Sequence, residues 1–153
     1  MKRFLASGFG VGLVWQNIFG NKKGGGTLAP FIFTILVYFF NLNVLALSIL
    51  FVSLLLIYFY SVEDHYADED PSWITLDEIV GMSLVSLASP SEMLPLIAGF
   101  LVFRASDSLK QPKFVAQLED YPGKLGVLYD DLGAGLLGLL SATLVHQVSL
   151  LTL

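Results

Sequence analysis

Residues 31–60 carry no charged side chain. About 20 apolar residues suffice to cross the hydrocarbon core of a bilayer. An uncharged run of this length restricts the chain to membrane-embedded helix or to a deeply buried core, and composition decides between the two. The 153 residues are 55% hydrophobic and 14% charged, with a mean hydropathy of +0.72. Soluble domains run nearer 45–50% apolar and about 25% charged. The chain is therefore expected to be a helical membrane protein. Asn41-Leu42-Asn43 interrupts the run, and Asn is a turn former. This predicts two helices, about 28–40 and 44–60, folded as a hairpin. Pro30 falls at the start of the first, where its missing N–H does no harm.

The remaining elements follow from the same punctuation. Residues 1–27 are basic and Gly-rich, with Gly8, Gly10, Gly12, Gly20, Gly24, Gly25 and Gly26. A short helix is expected around Phe4–Trp15, then a loop. The stretch is not a clean apolar signal region, and it is expected to belong to the mature protein. Residues 61–73 form a polar, acidic segment, with Trp73 a candidate interfacial anchor. A helix starts near Thr75 or Asp77 and ends before Pro90, with a turn at Ser89-Pro90-Ser91-Glu92. Another spans about 92–106, residues 107–126 form a polar basic loop, and a last helix runs from about Asp130 to the end. The sum is one all-α domain over 1–153, a polytopic bundle of about five membrane-embedded helices in two hairpins plus a C-terminal helix. Helices 28–40, 77–88 and 92–106 would span only about 18–22 Å at 1.5 Å per residue, so local thinning or incomplete crossing is implied.

Lys and Arg occupy only positions 2, 3, 22, 23, 104, 110, 113 and 124. The positive-inside rule places both basic segments in the cytoplasm, so an even number of crossings separates them. The same parity returns the acidic segment 61–77 to that side.

The absence of Cys excludes disulfides, thiolate metal sites and cysteine nucleophiles. The net charge of −5 argues against nucleic-acid binding. What stands out instead is costly acid beside apolar sequence. Asp77-Glu78 opens one apolar run and Asp130-Asp131 another. Carboxylates at a membrane edge mark function by default, and hard cations take oxygen ligands. The plain alternative is that both pairs complement helix dipoles. Gly133-Ala134-Gly135 permits the close helix approach that would bring the pairs together. Arg104, Asp107 and Lys110 recur at helical spacing, either as an exposed ion pair or as a phosphate clamp with Asp107 orienting Arg104 or joining a metal. Lys22-Lys23-Gly24-Gly25-Gly26-Thr27-Leu28 is a flexible turn or a phosphate cradle. His65 is a possible metal ligand in an acidic loop, and His146 is better suited to a polar contact between helices. A divalent cation with a bound phosphate is the simplest chemistry that uses all these groups.

Three stretches resemble the phosphatidylglycerophosphatase A family. Asp70-Pro71-Ser72-Trp73-Ile74 through Asp77-Glu78-Ile79-Val80-Gly81 is similar to its DPSxI–DExxG block. Phe103-Arg104, Asp107 and Lys110 are similar to its FRxxDxxKP block, with Gln111 standing before Pro112. Gly126-Val127, Asp130-Asp131 and Ala134-Gly135 are similar to its GVxxDDxxAG block. Of its N-terminal PGTxGS/T loop only Gly26-Thr27-Leu28 survives. The resemblance implies Mg²⁺-dependent hydrolysis of phosphatidylglycerophosphate to phosphatidylglycerol and phosphate, in a bacterial cytoplasmic membrane with the active site facing the cytoplasm. Under it, Asp77, Glu78, Asp130 and Asp131 hold Mg²⁺, with Asp77 and Asp131 in the catalytic centre. Asp70 or Asp107 positions water or supports a ligand. Arg104 and Lys110, with Gly26 and Thr27, bind the phosphate. Two competing readings are an ion transporter or channel with Asp77 and Asp131 in its path, and a non-catalytic membrane assembly protein.

Overall fold

The computed structural model describes every residue except 21, 23, 68–70, 89–91 and 153. The described residues form helices and no strand: α1 (Lys2–Ala6), α2 (Val11–Phe19), α3 (Gly25–Phe40), α4 (Val44–Ser61), α5 (Asp64–Ala67), α6 (Leu76–Val85), α7 (Met93–Leu109), α8 (Lys113–Glu119) and α9 (Lys124–Thr152).

The α3–α4 turn is built as its asparagines predict. Asn41 ends α3 in the left-handed region at φ 47°, and the Asn43 side chain accepts the Ala46 amide at 2.8 Å to start α4. The helix expected over Phe4–Trp15 is instead split in two. Gly8, Phe9 and Gly10 all take positive φ, at 61°, 57° and 97°, a left-handed backbone that no right-handed helix can continue through. The turn expected at Ser89–Ser91 and the site residue Asp70 lie outside the described residues.

The expected loop over 107–126 is largely helical. α7 continues to Leu109, α9 begins at Lys124, and α8 lies between them. Phe114 and Leu118 sit four apart on α8, beside Gly133 of α9, with Val115 fully buried between. The apolar spacing i, i+4 is that of a helix packed on one side.

The shortest of the core helices is the central one. α6 packs against α3, α4, α7 and α9, and most of its ten residues are buried. α3 and α4, joined by a tight turn, each lean chiefly on α6 rather than on each other. Glycines set the crossings: a Cβ on Gly135 of α9 would come within 2.8 Å of the Gly81 carbonyl oxygen of α6, and one on Gly138 within 2.8 Å of the Gly99 carbonyl oxygen of α7. Such close backbone approach is what small residues permit. At the other junction, Tyr58 Oη donates to the Lys124 carbonyl at 2.8 Å. Asp64 Oδ1 accepts the Lys124 amide at 3.2 Å, and Lys124 Nζ donates to the carbonyls of Phe59, in the last turn of α4, and Val62, just after it.

Length and hydropathy qualify two helices as candidate membrane spans, α4 and α9, with α3 apolar but shorter. The count of about five membrane-embedded helices is thus met by two on this measure. At 1.5 Å per residue α6 is about 15 Å long, half of a ~30 Å core. Leu45, Leu56, Phe39, Leu101, Leu140 and Leu144 all point outward and are more than half exposed. Apolar surface this extensive suits a lipid surrounding rather than water. Trp73 is not a lipid-facing anchor: it is 5% exposed, with the Arg3 guanidinium 5.0 Å above its ring.

Candidate metal centre and phosphate clamp

The α6–α9 crossing at Gly81 and Gly135 brings the two acidic pairs to one point. Asp77, Glu78 and Asp131 each offer a carboxylate oxygen, and the three atoms lie within 4.8 Å of one another. Asp77 and Asp131 are buried, and Glu78 is partly buried. Glu78 reaches this position by leaning across the first turn of α3, where Gly26 leaves the room: a Cβ there would sit 1.8 Å from Glu78 Oε1. Any side chain at position 26 displaces that carboxylate.

Asp130 diverges from its neighbour. Successive helical residues point about 100° apart, and Asp130 turns to Lys110 Nζ, which donates to its Oδ2. Its Oδ1 accepts the Asp131 amide at 2.8 Å. Lys110 also donates to Asp107 Oδ1 at 3.3 Å and stands 3.6 Å from Glu119. Burial works against its charged ammonium, but the hydrogen bond and charge of Asp130 outweigh it, so the Lys110 pKa rises.

Asp107 joins the two cations. Its other oxygen accepts from Arg104 Nη1 at 2.5 Å, while Arg104 Nη2 donates to Thr27 Oγ1 at 3.2 Å. The expected Arg104/Asp107/Lys110 face therefore exists, and it links α7 to α3 through Thr27 and to α9 through Asp130. His146 does serve as a contact between helices: its Nδ1 lies 2.8 Å from Glu92 Oε1, about 22 Å along α9 from Asp131. His65 sits beside Glu63 at 3.7 Å and is not among the gathered carboxylates.

The electrostatics of this assembly are lopsided. Asp77, Glu78, Asp107, Asp130 and Asp131 converge, with Arg104 and Lys110 as the cations bonded within the group. Burial, then the adjacent Asp77 charge, push the Glu78 carboxyl well above its ordinary range. Among the described residues, the buried atoms Glu78 Oε2, Asp131 Oδ1 and Arg104 Nε have no hydrogen-bond partner. Buried polar atoms without partners are costly. Two orphan carboxylate oxygens in a trio of this size fit a hard divalent cation, and an orphan guanidinium N–H fits an anion.

One local pattern of the chain is not realised in the fold. Thr75-Leu76-Asp77-Glu78 is a T-x-x-E pattern at a helix start, which normally closes as a capping box. Thr75 is indeed the N-cap of α6, yet its side chain makes no capping bond. Its amide donates to the Ala6 carbonyl at 3.1 Å, which leaves Glu78 to the carboxylate cluster.

The profile of the family described as phosphatidylglycerophosphatase A matches residues 4–146 of this chain. A Bacteroides thetaiotaomicron protein named "Putative phosphatidylinositol-3-phosphatase" is 40% identical over 70 residues. The matched stretch covers 44% of this chain and 43% of that relative's length. No solved structure matches.

Proposed function

The chain belongs to the phosphatidylglycerophosphatase A family, a family of lipid phosphatases, and from that premise we propose that it hydrolyses the phosphomonoester of phosphatidylglycerophosphate in a Mg²⁺-dependent reaction at the cytoplasmic face of a bacterial membrane. The observation that carries this reading is the meeting of Asp77, Glu78 and Asp131 beside the Arg104–Asp107–Lys110 array.

Asp77, Glu78 and Asp131 would hold the ion, an all-oxygen set of the kind Mg²⁺ takes while keeping several waters. When bound, Mg²⁺ supplies positive charge for phosphate oxygens and makes a bound water more acidic. Arg104 is fixed by Asp107 and Thr27 on its two terminal nitrogens, so that its guanidinium charge is held beside the carboxylate trio to neutralise the phosphate. Lys110 adds charge at the same end of α7 and holds Asp130. Gly26 keeps space for Glu78, and Thr27 orients Arg104. Asp107 acts as the hinge of the clamp, and Asp70 is the further candidate for positioning water. In the reaction a water oxygen bonds to phosphorus, the bond from phosphorus to the headgroup glycerol oxygen breaks, and that oxygen takes up a proton. The acyl chains stay among the outward apolar faces of α4 and α9. The cytoplasmic orientation rests on Lys and Arg confined to positions 2–23 and 104–124.

Phosphate release from phosphatidylglycerophosphate in mixed micelles, with and without Mg²⁺, tests the reading alongside Asp77→Asn and Asp131→Asn. Mg²⁺-dependent release by the wild type, lost in both variants, is expected. Release that ignores Mg²⁺, or is absent, refutes the activity. Full activity in the variants refutes the ligand set. Phosphatidylinositol 3-phosphate run in parallel decides whether the substrate follows the named relative instead.

A further inference from the structure

We infer that the N-terminal corner between α1 and α2 is a positioning element for the metal-binding trio, holding Glu78 in place by occupying the backbone donor to which Glu78 would otherwise return. The inference rests on the ligand role proposed for Glu78 and extends it to residues far away in sequence. A capping box places the N3 glutamate on the N-cap amide. Here that glutamate is Glu78 and that amide belongs to Thr75. Were the Thr75 amide vacant, Glu78 would have two competing positions, one capping α6 and one in the trio, and the first would cost the site a ligand. Ala6 removes the competition, since its carbonyl accepts the Thr75 amide at 3.1 Å.

The corner is built for this contact. Ala6 and Ser7 are buried, and the Ser7 carbonyl accepts the Gly12 amide at 2.9 Å. The chain then passes so close to the α6 entry that a Cβ on Gly8 would lie 2.6 Å from Thr75 Oγ1, and one on Gly12 would lie 2.1 Å from the Trp73 carbonyl oxygen. Thr75 itself is fully buried, and its hydroxyl has no partner among the described residues. The hydroxyl thus contributes no cap, and the α1 carbonyl alone satisfies the helix start at this residue. Gly26 completes the device from the other side by leaving room for Glu78 over α3.

Mn²⁺ binding to the detergent-solubilised full chain, followed by electron paramagnetic resonance, separates this inference from the reading beneath it. Gly8→Ala drives a methyl group against Thr75 and should weaken Mn²⁺ binding by about 10-fold or more, as loss of a group that orients a ligand does. Gly10→Ala carries the same kind of backbone strain, at φ 97°, but its methyl would meet the Phe4 ring rather than Thr75; its Mn²⁺ affinity should stay near wild type. Glu78→Gln should weaken binding in any case. Loss in Glu78→Gln with wild-type affinity in Gly8→Ala overturns the positioning role alone. Wild-type affinity in Glu78→Gln overturns the ligand role first. Equal losses in the Gly8 and Gly10 variants also overturn the positioning role. A measurement on the unaltered chain guards against a Gly8 variant that does not fold. Because coupling is reciprocal, saturating Mg²⁺ should slow hydrogen exchange at the Thr75 amide, and unchanged exchange there contradicts the inference.

Discussion

Gly135→Ala probes the geometry on which the site depends. The new methyl would lie 2.8 Å from the Gly81 carbonyl oxygen and 3.3 Å from Gly81 Cα, against ordinary contact at 3.4 Å or beyond. Both obstacles are backbone, so no rotamer change relieves them, and the α6–α9 crossing must open by about 0.6 Å, the difference between 3.4 and 2.8 Å. Overpacking of this kind costs about 1–3 kcal/mol, offset by up to ~1 kcal/mol from the better helix propensity of Ala. A net loss of about 1–2 kcal/mol leaves the protein folded. The effect on the site is larger, because Asp131 rides on α9 while Asp77 and Glu78 ride on α6. Sites must be held to about 0.5 Å, and a misplacement near 1 Å can cost about 100-fold in rate. The expected outcome is a thermal midpoint lowered by a few degrees, with phosphate release and Mn²⁺ affinity each reduced by about 10- to 100-fold. Gly133→Ala is the control: its methyl would crowd the end of the Leu118 side chain at 2.6 Å and reach Phe114 and Val115 only at ordinary contact distance; Leu118 can turn away, so stability and activity should stay near wild type. Normal Mn²⁺ affinity in a folded Gly135→Ala protein would show that the crossing does not set the ligand geometry.

Four further outcomes follow from the same contacts. Thr75→Val should be neutral or stabilising in thermal unfolding, because the buried hydroxyl has no partner; a loss of about 1 kcal/mol, the usual value of a cap, would show that the hydroxyl does cap α6. Arg104→Lys should raise KM for the lipid, since an ammonium cannot span Asp107 and Thr27 together; unchanged KM removes Arg104 from substrate binding. Tyr58→Phe should cost about 0.5–1.5 kcal/mol through loss of its bond to the Lys124 carbonyl, measured by denaturant unfolding in detergent. Glu92→Gln removes the charge that faces His146 and Ser149 and should leave the rate of phosphate release as in the wild type; a large loss would tie the far end of α7 to the chemistry.

Much of the helical architecture was legible because its signals are local. Asn41 and Asn43 end and start helices by their own backbone and side-chain habits. The α8 helix was missed because two prolines and several charges mask the short apolar spacing of Phe114, Val115 and Leu118. The break between α1 and α2 requires Phe9 to take φ 57°, which an L-residue accepts only when its surroundings impose it.

By itself the sequence determined a helical and strongly apolar chain, with acid concentrated at Asp77-Glu78 and Asp130-Asp131 and cations at Arg104 and Lys110. These follow from residue type and from spacing along one helix. Tertiary structure decided the partners. Asp130 and Asp131 are neighbours in the chain but face Lys110 and the carboxylate trio respectively, because a helix turns its successive residues apart. Glu78 leaves its local cap because Ala6, about 70 residues earlier, takes the amide it would have used. Hydrogen-bond competition of this kind is settled by whichever acceptor the fold brings closest, and no local pattern encodes that distance.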